Sequence, residues 1–170
     1  MCATIDQMAD GGALKELMVI TGFSGAGKST AMNVFEDAGY FCVDNLPPGM
    51  IESLIELFLH EGSKVERAAV VSDVRGGAYF EELAAVLDDL DSRGLAHRVL
   101  FLDAEDQTLL NRYKETRRRH PLAPGGRVER GIAAERTQLD GIKMRADVVI
   151  DTTATPRSRK PRSGAIPAAS

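Results

Sequence analysis

The eight residues Gly22-Phe23-Ser24-Gly25-Ala26-Gly27-Lys28-Ser29 constrain this chain more than any other stretch. They fit the pattern G-x-x-x-x-G-K-[ST] in full. The glycines let a backbone wrap closely round an anion with its N–H groups turned inward. The residues before them, Leu14–Thr21, end in an apolar run that reads as a strand. Those after them, Lys28–Ala38, have helical composition. A strand, a glycine loop and a helix in that order form a phosphate cradle, because the helix presents its positive end to the anion. The pattern implies ATP or GTP with Mg²⁺. Lys28 would reach the β- and γ-phosphates, and the Ser29 hydroxyl would ligate the metal. The competing reading is a glycine-rich turn that matches the pattern by chance.

The rest of the chain supplies the expected surroundings. Tyr40–Val43 reads as a short strand ending at Asp44-Asn45. Pro47-Pro48 can open a helix, and Ile51, Leu54, Ile55 and Phe58 follow at helical spacing. Arg67–Val74 reads as a strand, then Phe80, Leu83, Ala84 and Leu87 as a helix that stops near Gly94. His97–Leu102 is a strand ending at Asp103, and Glu105–Arg118 a helix with Leu109, Leu110 and Tyr113 on its apolar side. Arg119–Arg127, with two prolines and two glycines, is a loop. Val128–Arg145 is a helix with an acid–base surface, and Asp147–Ile150 a last strand. Alternating strands and helices predict an α/β fold, a five-stranded parallel sheet with helices on both faces. Ligands bind beyond the carboxyl ends of such strands.

Three segments follow: a flexible lead-in at 1–13, a P-loop domain at 14–152, and a disordered basic tail at 153–170. The tail holds Arg157, Arg159, Lys160 and Arg162 and no acid. Without those four, 17 basic residues face 25 acidic ones, a net of −8. An acidic body does not attract polyanions in general, so phosphate binding needs local cradles. Aromatic content of 5% with no Trp argues against a stacking surface for single-stranded nucleic acid. Apolar runs are too short to cross a bilayer. Met1–Leu14 lacks a basic region followed by an apolar core, so it does not read as a signal peptide. Cys2 and Cys42, without CxxC spacing, argue against zinc or a disulfide framework and fit a reducing cytosol.

Other polar positions carry paired readings. Asp73, at the end of its strand, reads as a Mg²⁺-holding acid acting through water, or as a capping Asp. Val74, Arg75 and Gly76 follow it directly, and Arg75 reads as a phosphate- or base-contacting residue or a solvated loop Arg. Asp44 reads as a general base or as an Asx turn. Arg112, Lys114, Arg117, Arg118 and Arg119 cluster before a Pro/Gly loop, which suggests a lid. Of these, Arg117–Arg119 are the candidates for neutralising phosphate charge, while Arg112 and Lys114 read as complements to a helix C-terminus. His120 reads as a loop residue. Glu135-Arg136 reads as a surface pair, with Arg136 able to turn back toward the site.

Several strings together resemble one family. They are Gly22–Ser29, Cys42-Val43-Asp44-Asn45-Leu46-Pro47, Ser72-Asp73-Val74-Arg75, Phe101-Leu102-Asp103-Ala104, Glu115–Leu122, Glu135-Arg136 and Ala146–Thr152. The set is similar to the RapZ/YvcJ family of bacterial nucleotide-binding proteins over roughly Leu17–Thr152. The resemblance implies a P-loop kinase-like N-terminal domain with weak ATPase and GTPase activity and a regulatory role. It places the ATP site on Gly22–Ser29 and a second motif, assigned to GTP, on Asp73-Val74-Arg75-Gly76. Physically, that second motif looks like the acidic end of the same pocket. Some members act as RNA-binding adapters that bring small regulatory RNAs to an endoribonuclease. After Thr152 the chain departs from the family, whose members continue into a second domain, and its end resembles a truncated or out-of-frame one. Three readings stay open: a slowly hydrolysing regulatory nucleotide-binding domain, a small-molecule kinase, and an RNA adapter using Arg157–Arg162.

Overall fold

Two unbroken apolar runs, Leu17–Ile20 and Ala68–Val71, belong to strands buried on both faces, as parallel strands covered by helices are. The computed structural model describes residues 14–72, 77–117, 119–123 and 125–154. The run order is β1 (Glu16–Gly22), α1 (Lys28–Asp37), β2 (Phe41–Val43), α2 (Pro48–Leu59), β3 (Arg67–Val71), α3 (Gly77–Ser92), β4 (His97–Asp103), α4 (Asp106–Thr116), α5 (Val128–Arg145) and β5 (Val148–Asp151). The strands form one sheet in the order β2-β3-β1-β4-β5. Every pairing is parallel, with Ile20 beside Val71 and Gly22 beside Leu102.

The five expected strands and the helices between them are all present, with boundaries shifted by a few residues. The strand expected to run to Val74 ends at Val71, and Asp73–Gly76 lie outside the described residues. The helix expected to reach Arg118 ends at Thr116, because Arg117 takes a left-handed conformation (φ 52°) that breaks the helical hydrogen-bond ladder. The expected lead-in Met1–Ala13 and, from Thr155 on, the expected tail also lie outside the described residues.

Helices pack on the sheet through stripes at helical spacing. α2 buries Ile51, Ile55 and Phe58, and α3 contributes Leu83, Leu87 and Leu90. The buried stripe of α5 is Ile132, Glu135, Leu139 and Ile142. A glutamate thus occupies a core register. In α4, Arg112 is buried between Leu109 and Tyr113. Chain direction across the sheet reverses around β1, since β1 leads to β2 on one side and β3 crosses to β4 on the other. That reversal opens a crevice at the carboxyl end of β1, from which Gly22–Ser29 emerges.

Candidate functional site

Gly22 sits where β1 ends, with φ +144°. A Cβ there would lie 2.3 Å from the Leu102 carbonyl oxygen, so only glycine lets the loop leave the sheet so close to β4. Gly25 and Gly27 adopt φ +86° and +100°, the left-handed region that other residues avoid. Gly27 caps α1 without a side-chain hydrogen bond, and no acid stands in the first turn. A helix N-terminus with neither a side-chain cap nor an acid suits an external anion. Lys28 lies along the loop, its Nζ donating to the carbonyls of Gly22 at 3.2 Å and Phe23 at 3.1 Å. Ser29 is exposed in the first turn of α1, offering the hydroxyl oxygen that a hard cation takes.

The loop is pinned from behind by residues distant in sequence. The Phe23 ring is buried edge-on against Phe101, centroids 5.3 Å apart. The Arg136 guanidinium covers its other side at 4.5 Å. Arg136 also donates to Asp103 Oδ1 at 3.2 Å, to Asp106 Oδ1 and to the Ala104 carbonyl. Burial alone would lower its pKa, but Asp106 and Asp103 outweigh that effect and hold the guanidinium above its usual value. Asp103 further accepts Lys143 Nζ at 2.7 Å. Arg112 Nη1 donates to the Gly25 carbonyl at 2.9 Å, and Nη2 donates to the Thr152 carbonyl at 2.6 Å. The Thr152 hydroxyl in turn donates to the Ala26 carbonyl at 2.7 Å.

These contacts correct two readings. Glu135-Arg136 is not a surface pair: Glu135 is 2% exposed and bonds the loop at Ser24, with Ser24 N–H and Oγ–H each donating to Oε1 at 2.9 Å. Arg112 is not a helix-end complement but a brace between the loop and the end of β5. His120 does lie in a loop, yet it is 1% exposed and its Nε2 donates to Glu135 Oε2 at 3.0 Å. The missed signal was register. Glu135 stands in line with Ile132, Leu139 and Ile142, and Arg112 with Leu109, positions where a charge must find buried partners.

Of the remaining candidates, those among the described residues are placed less centrally. Asp44 is exposed just after β2, and no described group hydrogen-bonds its carboxylate. The turn there is made by Asn45 at φ 53°, with Leu46 N–H donating to the Val71 carbonyl. Arg117 and Arg119 are exposed at the end of α4 and just beyond it. Arg118 and the group Asp73, Val74, Arg75 and Gly76 lie outside the described residues. Ser72, just before that group, donates its N–H to the Ile20 carbonyl, so β3 ends beside β1. No helix among the described residues is long and apolar enough to cross a membrane.

Arg112 yields a stability prediction. Arg112→Met keeps the bulk but strips the donors from the Gly25 and Thr152 carbonyls. It should cost about 1.5–3 kcal/mol, the range for hydrogen bonds from charged groups. A urea titration followed by circular dichroism measures this, and an unchanged midpoint would refute the bracing role.

Comparison with known proteins adds three findings. The family model described as RapZ-like N-terminal domain matches residues 15–160. A protein of Moorella thermoacetica called nucleotide-binding protein is 49% identical over 148 residues, covering 85% of this chain and 50% of its own length. One of Halothermothrix orenii with the same name is 51% identical over 138 residues, covering 81% and 48%. The chain thus spans about half the length of these relatives. Among solved structures, shikimate kinase from Bacteroides thetaiotaomicron superposes with a TM-score of 0.53 at 13% identity, covering 80% of this chain and 86% of that one. The fold is that of P-loop kinases.

Proposed function

Because this chain belongs to the family of RapZ-like N-terminal domains, we propose that it binds ATP or GTP with Mg²⁺ on Gly22–Ser29 and hydrolyses it slowly in a regulatory role. The observation that carries this reading is the N-terminus of α1. It follows two left-handed glycines, has no side-chain cap and no acid in its first turn, and begins with Lys28. Such a terminus has N–H groups and a positive dipole end to offer a phosphate. The name carried by the relatives, nucleotide-binding protein, supports the same ligand class.

The residues divide the work as follows. Loop N–H groups and Lys28 hold the β- and γ-phosphates. Ser29, and Asp73 through water, hold Mg²⁺, which when bound offsets charge on the phosphate oxygens. Arg117 and Arg118 neutralise the transferred or leaving phosphate. Asp44 takes the proton of the attacking water. The exposed carboxylate of Asp44, which no described group hydrogen-bonds, also suits a small-molecule acceptor, so a kinase is the second reading. Separate titrations with ATP and GTP, with turnover measured in each, test the first. Phosphate appearing on an added metabolite rather than as inorganic phosphate would favour the second. An RNA-adapter role for Arg157–Arg162 predicts binding that fades as salt rises.

Asp73→Asn isolates the metal. It should slow Mg²⁺-dependent hydrolysis about 10–100-fold, the usual effect of altering a group behind a metal's direct ligands. Metal-free nucleotide affinity should hardly change. Hydrolysis that runs equally fast with and without Mg²⁺ would contradict the assignment.

A further inference from the structure

One buried carboxylate joins the phosphate loop to the segment that carries the arginines. Glu135 Oε1 accepts both Ser24 donors, and Oε2 accepts His120 Nε2. The Leu122 N–H donates to His120 Nδ1 at 3.1 Å. Nδ1 therefore presents a lone pair, and the proton of the ring sits on Nε2, aimed at Glu135. The side chains are 0% and 2% exposed. Gly131 makes the room, since a Cβ there would stand 2.4 Å from the imidazole.

This pattern requires a carboxylate. It must accept from three donors at once, and a buried charge is tolerated only when so bonded. A glutamine of the same shape fails either way round. With its oxygen toward Ser24, its NH₂ meets the His120 N–H. Flipped, its NH₂ meets the Ser24 N–H. The far side of His120 is equally specific. Its ring packs on Tyr113 with centroids 5.0 Å apart, and its backbone bridges to Ala123. Arg119 precedes it directly, and Arg117 stands at the helix end two residues earlier. The group that anchors this arginine segment is thus the group that holds the third residue of the loop.

We propose that Glu135 and His120 are positioning residues that couple the two: seating a polyphosphate on the loop fixes the segment bearing Arg117 and Arg119, and fixing that segment favours the polyphosphate. This rests on the nucleotide reading of the loop. Coupling of this kind is reciprocal, so it is readable from either side.

Limited trypsin digestion of the whole chain reads the segment directly, because Arg117 and Arg119 are themselves cleavage sites. Cleavage after exposed Lys64 is the internal reference. Without ligand, Glu135→Gln should speed cleavage after Arg117 and Arg119 roughly tenfold, since cleavage follows the population of the opened segment. Cleavage after Lys64 should stay as in the wild type. With saturating Mg²⁺ and ATP, the wild type should be protected at Arg117 and Arg119. The variant should bind ATP in a parallel titration yet show no such protection, which loss of packing alone would not produce. Ser24→Ala trims one half-buried donor, leaves α5 untouched, and should lose part of the protection. It keeps the test decisive if the Gln variant fails to fold. Unchanged protection in the variants overturns the proposal, as does a wild type that binds ATP without protecting those sites. A wild type that binds no nucleotide overturns the reading of the loop together with the coupling.

Discussion

Gly22→Ala is expected to destabilise the domain by about 3–5 kcal/mol, combining overpacking with a left-handed backbone forced on a side chain. The new Cβ would lie 2.3 Å from the Leu102 oxygen and 2.7 Å from its nitrogen. Neither atom can withdraw easily. Leu102 belongs to β4, which is hydrogen-bonded to β1 on one side and β5 on the other. A side chain elsewhere would rotate away, but a backbone between two strands moves only with the sheet. The loss is a large part of the ~5–15 kcal/mol that holds a domain folded. A thermal melt should shift down by roughly 10 °C. A melt within 2 °C of the wild type would show that the loop does not leave the sheet as described.

Lys28→Ala should act in the opposite way, on the ligand and hardly on the fold. Its Nζ bonds the carbonyls of Gly22 and Phe23, at a half-buried position where water can replace an ammonium. On the proposed reading that ammonium turns to the β- and γ-phosphates when nucleotide arrives. A hydrogen bond from a charged donor contributes about 1.5–3 kcal/mol, so nucleotide affinity should fall roughly ten- to a hundredfold. Calorimetric titration with ATP and GTP measures it, beside a melt that should stay within a few degrees. A folded variant with wild-type affinity would remove Lys28, and with it the loop, from the site.

The two substitutions separate what a short sequence string encodes from what it leans on. The strand–loop–helix setting of Lys28 and Ser29 was legible because the motif is eight consecutive residues between an apolar run and a helical stretch. The parallel sheet was legible for a similar reason. Five short apolar runs alternate with stretches of helical spacing, and such alternation places strands side by side in parallel with helices on both faces. Thr116 as the end of α4 was not legible, because nothing in Arg117 marks it for the left-handed conformation that stops the helix.

What the sequence by itself determined, then, is the loop, the helix behind it and the class of sheet they grow from. Each depends on neighbours along the chain and on periodic burial. Tertiary structure alone decided the strand order β2-β3-β1-β4-β5 and the support of the loop. Glu135 meets Ser24 across 111 residues, and Arg112 meets the Gly25 carbonyl across 87. A local pattern shows that a charge falls on a buried stripe, but not which donors will face it. Those partners are set by how α4 and α5 pack against the sheet. Burying a carboxylate or a guanidinium is tolerated only where that packing supplies them.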